Sequence, residues 1–182
     1  KSFRDNPAKV IKKIQKYIIS YWNKAIGAHY DSNPITDTEK EPFTDEQFRA
    51  IKRESIYGTT LVACVMCEKF SFGIQLGDGS LVTVNKYATA QMPIADDESC
   101  PANLTASMCN TNAIEMFNHF YTFDEIMAVF VSTDGLFTSF GSREDFQDYH
   151  TILVGLLDDK DSFTKAVNKN LSKRTNHWQT AS

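Results

Sequence analysis

The hydrophobic period of the chain changes at Gly58. Before it, apolar residues recur at three- and four-residue steps. Val10, Ile11, Ile14, Tyr17, Ile18, Tyr21, Trp22 and Ile26 give one stripe over residues 7–26, which predicts a long helix with Pro7 in its first turn. Gly27 is expected to end it. Residues 29–43 hold two prolines and many polar side chains, and read as a surface loop. Thr44-Asp45-Glu46-Gln47 has the form of a capping box, so a second helix begins there with Phe48 and Ile51 on its buried side. After Gly58 the pattern is that of strands. Residues 59–67 form a β-branched run that predicts a mostly buried strand. Residues 70–76 and 81–85 predict two more, joined as a tight hairpin by Gly77-Asp78-Gly79-Ser80.

Residues 86–112 read as a long irregular excursion, of a length that tends to be functional or partly disordered. Residues 126–133 form another apolar strand running into Asp134-Gly135. Helices follow over 143–157 and 160–171. Ile152, Leu153, Leu156 and Leu157 are assigned to the apolar face of the first, and Phe163, Val167 and Leu171 to that of the second. A helical part, a run of strands and a closing helical part predict an α+β fold, an antiparallel sheet covered by helices.

Composition narrows the function classes. The 182 residues suffice for one domain with a sizeable core. The net charge of −4 does not point to nucleic acid or an anionic membrane as the main partner. No apolar run approaches the roughly 20 residues of a membrane-spanning helix. Lys9, Lys12, Lys13 and Lys16 invite a phosphate-binding reading, but a solvated helix face is the better one.

Cys64 and Cys67 form a CxxC inside the first strand. Residues three apart on a strand face opposite ways, so the two cannot share a zinc ion and are read as buried, inert thiols. Free thiols at these positions, with Cys100 and Cys109, fit a reducing cytoplasm. His29 and His177 fall in expected loops, His119 and His150 in expected helices. None has metal-ligand spacing with another His or Cys, which favours surface or capping roles. Phe117, Phe120, Tyr121 and Phe123 read as core rather than a ligand stack.

Two Asp-Gly pairs carry the candidate chemistry. Asp78 sits in the expected hairpin, and Asp134 at the end of a strand, where a sheet can hold a carboxylate rigidly at its edge. The glycine after each lets backbone and ligand approach closely. Carboxylates and water are the ligands that Mg²⁺ and Mn²⁺ prefer. Asp-Gly is also common turn chemistry, so neither pair is specific alone.

Three short elements occur in a fixed order. They are Gly58-Thr59-Thr60-Leu61-Val62-Ala63, then Leu76-Gly77-Asp78-Gly79, then Val131-Ser132-Thr133-Asp134-Gly135-Leu136. In order and spacing they resemble the protein phosphatase 2C family. The stretch Asn103-Leu104-Thr105-Ala106-Ser107-Met108-Cys109 is similar to the linker of bacterial members. The resemblance implies an α-β-β-α sandwich of two antiparallel sheets flanked by helices. It implies hydrolysis of phosphomonoesters on Ser/Thr phosphoproteins by a water bridging two Mn²⁺ or Mg²⁺ ions.

The resemblance also assigns Asp134 and Gly135 to the core metal element and Asp78 to an additional, weaker metal site. Gly79 and Ser80 replace the usual serine and arginine beside Asp78. The family's earlier Asp-Gly-x-Gly element and its phosphate-binding arginine are not found in the 182 residues, and no pair is assigned to its late Asp-Asp or Asp-Asn. Arg4, the one early arginine, is not assigned the phosphate role. Lys1-Ser2-Phe3-Arg4-Asp5 resembles the segment after the first metal element, and Leu171-Ser172-Lys173-Arg174-Thr175 the segment before the last. The expectation is a single 2C-like domain over 1–182, with N- and C-terminal parts missing and inactive alone. The alternative is a catalytically inactive 2C-like module that binds phosphoproteins or partner proteins. Asp134 is expected to end a central strand, its carboxylate at an acidic opening between the sheets, and Asp134 in a helix or buried against apolar side chains would sink the phosphatase reading.

Overall fold

The computed structural model describes residues 3–94 and 105–178, with side chains to residue 169. Cys100, Asn103, Leu104 and the side chains of Leu171 and His177 lie outside the described residues.

Helix α1 spans Pro7–Ser32. Asn6 caps it by accepting from the Lys9 backbone N–H at 3.1 Å, and Pro7 stands where a missing N–H costs nothing. Ile11 and Ile26 are buried on one face, with Ile14, Ile18 and Trp22 half-buried. Tyr17 and Tyr21, expected on that stripe, are instead 53 % and 71 % exposed. At 100° per residue they sit on the flank of the stripe, too far round to reach the sheet. Nor does the helix stop at Gly27. It runs on to Ser32, and the Arg53 guanidinium packs over Gly27, 3.7 Å from where a Cβ would stand. His29 Nδ1 and the Tyr57 hydroxyl, 2.9 Å apart, tie the last turn to the same 3₁₀ turn, Arg53–Tyr57.

The loop expected over 29–43 therefore begins as helix and then holds a short second one, α2 (Asp37–Lys40). Its cap is a reciprocal box: Glu39 Oε2 accepts from the Thr36 N–H at 2.8 Å, and Thr36 Oγ1 accepts from the Glu39 N–H. Helix α3 (Asp45–Ala50) has the expected box, Thr44 N–H to Gln47 Oε1 at 2.9 Å and Gln47 N–H to Thr44 Oγ1 at 3.2 Å. Phe48 and Ile51 are only half-buried.

The strands are β1 (Leu61–Cys67), β2 (Phe70–Leu76), β3 (Ser80–Asn85), β4 (Ala90–Gln91), β5 (Asn118–Thr122) and β6 (Ile126–Ser132). They make two antiparallel sheets, ordered β1-β2-β5 and β4-β3-β6. The hairpin expected between β2 and β3 is not one. β2 pairs with β1 and β5, β3 with β4 and β6, and Gly77-Asp78-Gly79 carries the chain from one sheet to the other. The hairpin pattern misleads because a crossing between stacked sheets needs the same tight, glycine-bearing turn. β1 is less buried than its composition suggests. Residues 61–64 are half-buried and Val65, Met66 and Cys67 exposed, because β1 has one neighbour among the described strands.

β5 was not expected. After the short helix α4 (Ala113–Met116), Phe117 is buried and Phe120 half-buried, while Tyr121 and Phe123 are each 44 % exposed. This is the alternation of a half-covered strand rather than of a helix. His119, expected in a helix, lies on β5 opposite Ile74 and is exposed.

Helix α5 (Asp134–Thr138) follows β6, and then come α6 (Arg143–Val154) and α7 (Lys160–Trp178). The buried face of α6 is Phe146, Tyr149, His150, Leu153 and Val154. Ile152 is 63 % exposed because it falls off the three-and-four spacing that begins at Phe146, and Leu157 is 45 % exposed because it lies past the end of α6 at Val154. Phe163 and Val167 on α7 are half-buried.

The layers follow from two cores. One packs Ile11 of α1 against Phe72, Ile74 and Leu76 of β2. The other packs Val82 and Val84 of β3 and Ala128 of β6 against Phe146 and Val154 of α6. The sheets touch where side chains are missing: a Cβ on Gly73 of β2 would stand 2.7 Å from Leu81 of β3. The result is the α+β sandwich of two antiparallel sheets between helices that the resemblance implied.

Candidate functional site

The three motif elements meet at one end of the sandwich, around the crossing between sheets. Gly77 has φ +96°, and a Cβ there would lie 2.4 Å from Thr60 Cγ2 and 2.9 Å from the Ala106 carbonyl oxygen. A Cβ on Gly79 would lie 2.5 Å from Val62 and 3.0 Å from the Ser132 carbonyl oxygen. Glycine at 77 and 79 is thus what lets the start of β1, the crossing, residues 105–108 and the end of β6 close on one another. Ser80 pairs with Ser132, which sets the register of β3 against β6 and carries Asp134 to this end.

Residues 105–110 are fastened to the start of β1. The Thr59 N–H donates to Ser107 Oγ at 2.9 Å, the Met108 N–H to the Thr59 carbonyl at 2.8 Å, and the Ser107 N–H to Asn110 Oδ1 at 2.6 Å. Thr105 then stands beside the crossing and donates its hydroxyl to Asp78 Oδ2 at 3.0 Å. Neither Thr105 nor Ser107 was singled out. The sequence gives no signal for them beyond the linker-like run they belong to, because their partners lie 27 and 48 residues away.

Asp134 is not at the end of a central strand. β6 ends at Ser132 and has one neighbour among the described strands, and Asp134 is the first residue of α5, exposed, with Thr133 as N-cap. The turn into α5 starts at once because the Leu136 N–H reaches the Thr133 carbonyl at 3.3 Å. Gly135 is exposed with open space around its Cα. The expected acidic opening is not formed: among the described residues no three His, Cys, Asp or Glu side chains are placed to share a metal ion.

The titratable groups away from this end behave as structural ones. His150, expected at the surface or in a capping role, is 2 % exposed and donates Nδ1–H to the Phe146 carbonyl at 2.7 Å. Burial holds its pKa below the usual 6.5, with the Phe146 bond opposing. Cys64 is half-buried and burial raises its thiol pKa, but Cys67 is exposed, so only the first fits the expected buried thiol. A cleft of about 330 Å³ opens between α1 and residues 108–114, lined by Ile19, Asn23, Lys52, Glu54 and Cys109 among others; neither Asp78 nor Asp134 lines it. No helix among the described residues is long and apolar enough to cross a membrane.

A two-sheet sandwich with helices on both outer faces, whose glycine-bearing crossing and strand-end Asp-Gly meet at one end, is the architecture that the resemblance implied. The sequence model of the protein phosphatase 2C family matches residues 1–173, and the chain belongs to that family. Searches of curated proteins and of solved structures returned no match.

Members of the family generally depend on Mn²⁺ or Mg²⁺. The described residues do not fit two such ions. Mg²⁺ demands a near-octahedral oxygen shell, and this end of the sandwich offers two carboxylates, one of them already bonded to Thr105.

Proposed function

We propose that this protein hydrolyses phosphomonoesters on Ser/Thr phosphoproteins, and that residues 1–182 belong to its single 2C-type domain. One observation carries the reading: the family match over 1–173 includes Thr133-Asp134-Gly135 at the end of β6, beside the Gly77–Gly79 crossing. Asp134 is the residue we assign to metal binding, with Gly135 giving open access beside it; its place as the first residue of α5 is the outcome set against the phosphatase reading, which is carried by the family match and not by this geometry. Asp78 is assigned to an additional site, in which Thr105 orients its carboxylate. Two carboxylates cannot hold two divalent ions, so no hydrolytic step is routed through these residues alone. The free thiols Cys64, Cys67 and Cys109 fit a reducing, cytoplasmic setting.

The test is turnover of p-nitrophenyl phosphate by residues 1–182 in millimolar Mn²⁺. We expect none above background. Turnover that disappears in Asp134→Ala would mean that the ligands present suffice, and the assignment of what the centre needs would be wrong.

A second reading is supported by the lack of a three-ligand group among the described residues. In it the chain is a 2C-like module that binds phosphoproteins without hydrolysing them. The two part on metal binding in the full-length protein. Calorimetry giving a Mn²⁺ site that Asp134→Ala removes supports the enzyme, and phosphopeptide binding indifferent to Mn²⁺ and to Asp134 supports the module.

A further inference from the structure

The lysine run of α1 has a property that a merely solvated face does not need. At 100° per residue, Lys9, Lys13, Lys16 and Lys24 fall within an arc of about 80°, opposite the face that buries Ile11 and Ile26. All four are exposed, and Tyr17 and Tyr21 flank the arc at 53 % and 71 % exposure. The Lys13 ammonium lies 5.6 Å from the Tyr17 ring centroid. The helix sequence has no acidic residue from Pro7 until Asp31. None of the four lysines lies within ion-pair distance of a carboxylate among the described residues.

This arrangement does not serve the helix. A lysine in the first turn, as Lys9 is, meets the positive end of the helix dipole, and lysines three and four apart repel one another. A face selected for solvation alone would intersperse acids, as exposed helices commonly do. The chain as a whole is acidic, with 23 acidic against 19 basic residues, so the cationic stripe is a local concentration and not a general excess.

We infer that this face of α1 docks an acidic segment of the phosphoprotein substrate, away from the Asp78–Asp134 end. The inference rests on the phosphoprotein reading above and adds where the substrate is held. From Lys9 to Lys24 the helix rises about 22 Å, the length of an extended segment of about seven residues. The stripe is complementary in charge to such a segment, and the tyrosines give its stem a rigid apolar flank. A membrane surface is the poorer fit. A helix lying on a bilayer inserts an apolar face, and the apolar face of α1 is committed to Phe72, Ile74 and Leu76.

The probe is a fluorescein-labelled peptide of seven glutamates, which carries no phosphate for the Asp78–Asp134 end, titrated with the full-length protein by fluorescence anisotropy. Partners are Lys13→Glu/Lys16→Glu, which alters exposed side chains only, and Asp134→Ala. We expect the double charge reversal to weaken binding about tenfold or more, Asp134→Ala to leave it within twofold, and 0.5 M salt to abolish most of it. Circular dichroism confirms that the helix content is unchanged.

Binding that is absent, or indifferent to the double reversal, overturns the inference. So does binding lost in Asp134→Ala instead, which would place the peptide at the other end. Lysine-dependent capture by phosphatidylserine vesicles without peptide binding overturns it in favour of a membrane surface. The assay reads binding and not turnover, so its failure leaves the p-nitrophenyl phosphate result standing, and the reverse holds.

Discussion

His150 and Gly77 show how single residues are set by what surrounds them. The imidazole is enclosed by Phe130, Phe146 and Tyr149, with ring centroids 4.8, 4.5 and 5.2 Å away, and its pKa is held below 6.5. The unfolded chain therefore takes up this proton more readily than the folded one. The contribution is present above about pH 6.5 and is lost as pH falls from there through the folded pKa. Thermal unfolding at pH 8, 6.5 and 5 should give a melting temperature that drops over the last interval. His150→Leu should make that drop smaller; an unchanged drop would place its origin elsewhere. Gly77 is fixed by both backbone and space. Gly77→Ala should cost about 1–3 kcal/mol from φ +96° alone and more from the Thr60 clash, read as a lower urea midpoint. Gly135→Ala has open space and should stay within about 1 kcal/mol of wild type, neutral or stabilising. Gly77 precedes an aspartate and Gly135 follows one, and it is the backbone conformation and the neighbours that separate their costs.

At the scale of elements, local chemistry decided starts better than ends. The Thr44 box was readable because its donors and acceptors lie within four residues. The Thr36 box carries the same signal, Thr-x-x-Glu, but the prolines around it suggested a loop. Thr44→Ala should lose about 1 kcal/mol of local helix stability. Since α3 buries no residue fully, hydrogen exchange should quicken at residues 45–50 while the global melting temperature moves little. The end of α1 could not be read locally. Gly27 is a stop signal only when nothing packs on it, and Arg53, 26 positions on, does. Truncating that side chain, Arg53→Ala, should fray the turn from Gly27 to Ser32, seen as faster exchange there.

For the whole molecule, each three-stranded sheet has two edge strands among the described residues, β1 and β5 in one and β4 and β6 in the other. β1 and β6 each have one partner among the described strands, and Val65, Met66, Met127 and Val131 on them are 42–54 % exposed. Unpaired edges with apolar side chains template pairing between chains. Residues 1–182 should therefore associate with rising concentration in size-exclusion chromatography, and Met66→Lys/Val131→Lys should shift the species toward monomer. A sharp, monomeric, concentration-independent peak for the unaltered chain would show that these edges are closed in solution. The docking stripe of α1 lies on the far side of the first sheet from β6, so the lysine reversals should leave this association unchanged.

The sequence by itself determined the elements whose information is local. The switch of period at Gly58, the inward stripe of α1, the span Phe70–Leu76, the strand before Asp134 and the Thr44 cap all follow from neighbours within a few residues, as do the motif elements that mark the family. The tertiary structure alone decided which strands share a sheet. A glycine-bearing turn serves a hairpin or a crossing equally well, and only packing of Gly73 on Leu81 and of Gly79 on Val62 selects the crossing. It also decided that β1 is an edge, that Thr105 holds Asp78, and that Asp134 opens a helix on an exposed rim. Each of these depends on contacts between residues far apart in the chain, which no local pattern encodes.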